Sequence, residues 1–289
     1  MVIPVKTDNV TVDEQGVDEL LSVIKTEFGL DFYDYTRSSI VRRLTRRMQL
    51  WHLQDIRDIA PIILNDTNKW QQLLNDLSIS VTSLFRDPAV FKSIQQHVFP
   101  LLETFPFFKI WIAGCSTGEE VYSLAILLHE HGILKRARIY GTDFNDAVLK
   151  QAKEGIFDQS IIEQNIKAYL MAGGQYSLDQ YFHLAYGKGK IKPHILNQIT
   201  FSNHNLTTDG AFGEVELILC RNVLIYFNKT LKQKAFSIFN ESLYPRGFLI
   251  LGTKESIIDK DLSILYEEID KNSSIYQKVM TTDANAFTK

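Results

Sequence analysis

The chain has 289 residues, of which 31 are basic and 34 acidic, giving a net charge of −3 at pH 7. That balance excludes a global field for nucleic acid or a membrane surface, and 45% apolar residues suit one large or two smaller globular domains. No apolar run reaches the roughly 18 residues of a spanning helix. The start, MVIPVKTDNV, lacks a signal-peptide shape, and two cysteines make no disulfide framework, so a cytoplasmic protein is expected.

Residues 14 to 78 read as helix throughout. Leu20, Leu21, Ile24 and Phe28 line one amphipathic helix, stopped at Gly29. Ile40, Val41, Leu44 and Met48 line a second, Ile56, Ile59, Ile63 and Leu64 a third, and Trp70, Leu73, Leu74 and Leu77 a fourth. These predict an all-helical domain over 1–78. The second helix carries Arg37, Arg42, Arg43, Arg46 and Arg47, with two pairs at i, i+4, so the charges are expected to spread over its polar face. The patch is open to three readings: a solvated face whose arginine stems cover the core, a dock for an acidic protein, or a phosphate contact.

The stretch SISVTSLFRDP reads as a linker over 79–88, with Asp87-Pro88 starting a helix that runs to Leu102. From Lys109 the pattern is strand (KIWIA), glycine turn (GCSTG), helix from Glu119 to His131, strand (ARIYGT) and Asp143. A strand, a glycine turn against a helix start, and an acid after the next strand describe a nucleoside-binding βαβ unit. A helix N-terminus ordinarily welcomes phosphate. Here Glu119 and Glu120 stand at it, and neither GxGxxG nor GxxxxGK[ST] is present. A nucleoside with cationic groups and no phosphate, S-adenosylmethionine, fits the turn. A degenerate dinucleotide site and a βαβ unit with no ligand stay open.

Further on, a helix ends at Gly155, residues 160–170 read as helical, and 175–198 reads as a hairpin-like insert around Gly187-Lys188-Gly189. Strands follow at 199–203, 215–220 and 248–252, with a helix at 233–243 and a closing antiparallel pair at 262–269 and 274–279. The alternation suits the sheet of class I methyltransferases. Ligands of such sheets sit at the carboxyl ends of the strands, which puts Ala113 to Gly118, Asp143 with Phe144, Asn205 and Arg221-Asn222 on one rim. Cys115 and Cys220 end neighbouring strands and are expected as free thiols. His129 and His131, at i, i+2, share no helix face, so no metal site is expected. The last residues, 281–289, read as a flexible tail.

Five stretches resemble the CheR family of chemotaxis receptor methyltransferases: IVRRLTRRM, VTSLFRD, AGCSTGEEVYSLA, GTDF and CRNVLIYF. Together they cover most of residues 15 to 280 in the family's order. The resemblance implies a Rossmann-like methyltransferase domain over 89–280, with the 175–198 insert as its β-subdomain. It implies transfer of a methyl group from S-adenosylmethionine to receptor glutamates, without a metal. Donor contacts are implied at Ser80, Thr82, Arg86, Ala113, Gly114, Glu119, Asp143, Phe144, Asn205, Leu206, Arg221 and Asn222. Arg86 and Tyr226 match the pair that faces the reacting glutamate, and the arginine helix resembles the part that docks on the chemoreceptor's cytoplasmic helical bundle. A monomer is expected, with neither nucleic acid nor membrane insertion.

The chain departs from the family at Val121 (usually proline), Ser80 (often asparagine) and Gly252-Thr253-Lys254-Glu255 (usually Gly-His-Ser-Glu). Its short loop at 186–193 reads against tethering to a receptor peptide. The chemistry is consistent with the implied reaction. A glutamate with pKa about 4.3 is already an anionic nucleophile at neutral pH, so no general base is required. Alignment alone can supply about 7–11 kcal/mol. The rival expectations are a methyltransferase of another protein or of a nucleic-acid base, and a non-catalytic module that binds the donor. Arg221-Asn222-Val223-Leu224 is not the Asn/Asp-Pro-Pro-aromatic motif of the base enzymes.

Overall fold

The computed structural model describes residues 12–78, 82–257 and 259–280, and its chain divides into two compact units. Ser80 and the 281–289 tail therefore lie outside the described residues. The first unit holds the chain up to residue 79 together with Tyr226–Leu231, and the second holds 80–225 and 232–289.

The first unit is built from α1 (Glu14–Phe28), α2 (Arg37–Trp51), α3 (Ile59–Asn65) and α4 (Thr67–Leu77). Each helix begins or ends where the local chemistry allows. Asp13 caps α1 by accepting the Gly16 N–H, and Gly29, at φ 70°, closes it with its own N–H on the Lys25 carbonyl. Asp66 caps α4 through the N–H groups of Asn68 and Lys69. The apolar stripes meet in a core of Leu20, Ile24, Ile40, Leu44, Ile59 and Leu73, each 2% exposed or less. Residues 226–231 join this unit through backbone pairing. The Thr36 N–H donates to the Tyr226 carbonyl at 2.7 Å, the Asn228 N–H donates to Asp34 at 2.8 Å, and Tyr35 and Phe227 form a β-bridge.

The second unit runs α5 (Pro88–His97), α6 (Phe99–Leu102), β1 (Phe108–Ala113), α7 (Glu119–Glu130), β2 (Ala137–Asp143), α8 (Asp146–Glu154), β3 (Ile156–Asp158), α9 (Gln159–Gln164) and α10 (Ile166–Met171). It continues with β4 (Phe182–Ala185), β5 (Lys188–Ile191), α11 (Pro193–Leu196), β6 (Ile199–Asn203), β7 (Val215–Cys220), α12 (Lys229–Ser242, of which Lys229–Leu231 count with the first unit), β8 (Leu243–Leu251), α13 (Lys260–Ser263), β9 (Tyr266–Asp270) and β10 (Ile275–Lys278). The main sheet has the order β6-β2-β1-β7-β8-β10-β9. Its first five strands are parallel, and β10 lies antiparallel between β8 and β9. The chain leaves β1 in one direction through β2 and β6, and in the other through β7 and β8. The crevice at the carboxyl ends of β1 and β7 is therefore the topological switch point, where ligands of open α/β sheets bind. Strand β1 is apolar because both its faces are covered: Ile110, Trp111 and Ile112 are fully buried, and the Trp111 indole N–H donates to Thr142 Oγ1 at 2.8 Å.

Several boundaries differ from the sequence expectation: β8 begins at Leu243 rather than 248, residues 160–170 split into α9 and α10, and the strand expected from 262 begins at Tyr266. Leu84 and Phe85, read as linker, are fully buried in the core of the second unit. A short apolar dipeptide carries no period, so only its burial reveals its place. The β-subdomain is a three-stranded antiparallel sheet, β3-β5-β4, that begins at Ile156 rather than 175. Strand β3 is three residues long and exists only through its pairing with β5. The β4–β5 hairpin turns on Tyr186 and Gly187, both at positive φ, as a two-residue turn of the primed type requires.

Candidate functional site

The loop after β1 forms the floor of the rim. The Gly114 and Cys115 N–H groups both donate to the Thr142 carbonyl, at 2.8 and 2.9 Å, so the loop is sewn to the end of β2. Gly114 has φ 72°, and a Cβ there would meet Val223 Cγ2 at 2.5 Å. Ser116 holds φ 51° without being glycine, which costs about 1 kcal/mol. Its N–H donates to Asp143 Oδ2 at 3.0 Å, while Asp143 Oδ1 accepts the Asn145 N–H at 3.0 Å. Asp143 is 9% exposed and makes no ion pair among the described residues. Burial pushes its carboxyl up from the ordinary value, and the backbone N–H groups pull against that shift. The Ser116 hydroxyl is buried and has no hydrogen-bond partner.

Helix α7 starts at Gly118, φ 92°. Thr117 Oγ1 donates to Glu119 Oε2 at 2.6 Å, and burial raises the Glu119 carboxyl. The pair of acids expected at this helix start is unequal. Glu120 is ion-paired with Arg221, so Glu119 alone is left to meet a cation. Ser123, fully buried, donates to the Glu119 carbonyl at 2.6 Å and accepts the Phe85 N–H at 2.8 Å. That hydroxyl pins the VTSLFRD segment to α7 and holds Phe85 at φ 54°. Thr82 and Arg86 lie within this segment and are partly exposed.

Arg221, expected as a donor contact, has a side chain 2% exposed whose two terminal nitrogens are engaged, while its buried Nε has no partner. It pairs with Glu120 and with Asp87 at 2.8 Å, donates to the Arg86 carbonyl at 3.2 Å, and lies 5.7 Å from the Phe91 ring centre. Asp87 stands at the start of α5 but its side chain caps nothing; it serves Arg221 instead. The guanidinium therefore braces the rim, and the side chain is withdrawn from the set of ligand contacts. Asn205 is similarly engaged. Its amide oxygen accepts the Thr207 N–H and hydroxyl at 2.9 and 2.8 Å, shaping the turn that carries the buried Leu206. Asn222 sits at φ 60°, and its N–H donates to Glu255 Oε2 at 2.9 Å. Phe144 is half-buried and Ala113 buried at the strand ends.

The arginine helix is not one exposed face. Arg43 is 7% exposed, its guanidinium donating to the Leu77 carbonyl and to Ser39 Oγ and lying 4.8 Å from the Tyr226 ring centre. Arg47 pairs with Asp76, and Arg37 with Glu14 and Asp18. Arg42 and Arg46 are exposed and make no ion pair among the described residues. The i, i+4 spacing gave neighbours on the helix but not which side faced inward. Tyr226 belongs to this first unit and Arg86 to the second.

Sequence reasoning singled out neither Ser116, Ser123, Asp87 nor Glu255 as site residues. All but Glu255 lie inside a quoted motif, and Asp87 reads there as a helix start as well. Both cysteines are buried and free, with burial raising their thiols. Among the described residues no three potential ligands gather for a metal, and no helix is long and apolar enough to cross a membrane.

Residues 15–78 match the family described as CheR methyltransferase, all-alpha domain, and 80–271 match CheR methyltransferase, SAM binding domain. Cher3 of Pseudomonas putida, provisionally named a methyltransferase, is 41% identical over 90% of this chain and 95% of its own. The chemotaxis protein methyltransferase of Salmonella typhimurium is 28% identical over 86% of each chain, and that of Escherichia coli 27% over 86% and 87%.

Sheet order, switch-point crevice and matched donor domain define a class I methyltransferase whose donor is S-adenosylmethionine. The residues fit that donor: Asp143, which could accept ribose hydroxyls, an orphaned serine hydroxyl, the half-buried Glu119 with no ion pair among the described residues, and a glycine where a side chain would clash. The chain belongs to the CheR methyltransferase family.

Proposed function

We propose that this methyltransferase esterifies glutamate side chains on the cytoplasmic helical bundle of chemoreceptors. One observation carries the reading: similarity to proteins named chemotaxis protein methyltransferase runs through both units, over 86% of this chain. When bound, the donor supplies an electrophilic methyl group on a sulfonium. Asp143 would accept the ribose hydroxyls with the lone pairs that Ser116 and Asn145 leave free, and Glu119 would face the cationic end. Thr82, Asn205, Leu206, Asn222, Phe144, Ala113 and Gly114 would line the remaining contacts.

The acceptor carboxylate is ionised at neutral pH and needs no base. Arg86 would hold one carboxylate oxygen so that the other attacks. Too tight an arginine clamp would stabilise the ground state and slow the step, so the contact orients more than it binds. Arg42 and Arg46 are the proposed dock for an acidic receptor surface.

The test is transfer of labelled methyl to a purified chemoreceptor cytoplasmic fragment, with release of the label as methanol in mild base marking an ester. Arg86→Ala should lose turnover while keeping S-adenosylhomocysteine affinity. Donor binding with no label on any chemoreceptor would refute the substrate. A second reading, a carboxylate on a different protein, draws on the 41% identical relative, whose name specifies no substrate. Label on a lysate protein other than a receptor would establish it.

A further inference from the structure

Glu255 closes the Gly252–Glu255 stretch, and its carboxylate accepts three hydrogen bonds. It is 7% exposed and makes no ion pair among the described residues. Its charge is held by backbone donors alone: Oε2 accepts the N–H groups of Asn222 at 2.9 Å and Gly252 at 2.6 Å, and Oε1 accepts the Ile225 N–H at 3.0 Å. The Ser274 hydroxyl fixes its carbonyl at 3.2 Å, at the start of β10. One side chain therefore ties the loop after β7 to the loop after β8 at the crevice end of the sheet. The space is made for it. A Cβ on Gly252 would stand 2.6 Å from Glu255 Oε2 and 2.9 Å from the Asn222 nitrogen. Asn222 is kept at φ 60°, a conformation that asparagine tolerates but that still carries strain unless its surroundings hold it.

We propose that Glu255 is a positioning residue for methyl transfer: it sets the Asn222–Ile225 loop so that Asn222 meets the donor. This rests on the donor reading above. A glutamate is needed because three N–H donors converge, and only a carboxylate accepts all three without presenting a hydrogen of its own. In Glu255→Gln the amide NH2 must face at least one of these donors. The lost charge-assisted hydrogen bond predicts a fall in donor affinity on the order of tenfold to a hundredfold.

The experiment measures S-adenosylhomocysteine affinity by calorimetry, and kcat and KM for methyl transfer, on the full chain and on Glu255→Gln, Glu255→Asp, Gly252→Ala and Lys254→Ala. Weakened binding and a raised donor KM in Glu255→Gln, partial recovery in Glu255→Asp, and the same pattern in Gly252→Ala are expected, while Lys254→Ala, exposed on the same loop, matches wild type. If Glu255→Gln does not fold, Gly252→Ala alone decides, because it displaces the carboxylate without removing it. Wild-type affinity and kcat/KM in either variant overturn the role of Glu255. Loss of kcat with donor affinity and KM unchanged overturns it too, since the loop then does not reach the donor. Failure of the wild type itself to bind S-adenosylhomocysteine would instead strike the donor reading on which the inference rests.

Discussion

Replacing Arg221 with methionine tests whether the rim is braced by one buried cation. The variant keeps most of the aliphatic stem and removes the guanidinium that lies over Phe91, leaving Glu120 (side chain 15% exposed) without a counter-charge and Asp87 (38%) free to hydrate. Removing one partner of a buried pair costs about 3–5 kcal/mol. Because Asp87 recovers solvent, the lower end, about 3 kcal/mol, is expected. For a unit of this size that lowers the melting temperature by about 6–12 °C. Native-state hydrogen exchange of amides in β1 and β7 isolates the second unit from the helical one and gives the local free energy directly. Adding Glu120→Gln to Arg221→Met should return part of the loss, because the carboxylate no longer has to be desolvated unpaired. A loss below about 1 kcal/mol, or no recovery in the double variant, would refute the brace.

The remaining predictions bear on the donor pocket and the helical unit. Burial holds the Asp143 carboxyl above its ordinary value, whereas a donor whose hydroxyls bond to the ionised form stabilises that form. Binding therefore expels the proton, so S-adenosylhomocysteine affinity should be flat near neutrality and fall as pH drops through that raised value, by at most about tenfold per pH unit. Asp143→Asn should bind weakly throughout and lose this acid limb, as calorimetry across pH would read. Gly114→Ala should abolish donor binding, its Cβ being driven onto Val223 at a φ that alanine disfavours; unchanged affinity would show the loop to be pliant. Arg43→Met leaves the Leu77 carbonyl unanswered and should cost about 1–3 kcal/mol of helical-unit stability, seen by hydrogen exchange in α2 and α4. Reversing Arg42 and Arg46 to glutamate should spare that stability and raise KM for a chemoreceptor fragment while leaving donor affinity intact.

How far the sequence carried the site depended on chain distance. The Gly114–Gly118 turn, the start of α7 and Asp143 lie within 30 residues, and the glycine spacing and strand periods fix their arrangement almost without reference to the rest. The four helices were likewise legible, because each buries a stripe at helical spacing and ends on a local signal such as Gly29. What failed to be legible was choice of partner. Arg221 looked like a ligand contact because it follows a strand at the rim, yet its partners Glu120 and Asp87 stand 101 and 134 residues away. Glu255 and Asn222 are 33 residues apart, with β8 between them.

The sequence by itself therefore determined most of the helices and strands, the class of sheet, and the family. Periodicity, turn chemistry and contiguous motifs are properties of neighbours in the chain. Only the tertiary structure decided which charges are spent inside: Arg43 and Arg221 buried, Arg42 and Arg46 exposed, and Glu255 held by three backbone N–H groups. It also assigned Tyr226–Leu231 to the helical unit and β3 to the small sheet. A buried charge must find its counter-charge or donors wherever folding brings them, and a three-residue strand exists only by pairing, so neither is written in local spacing.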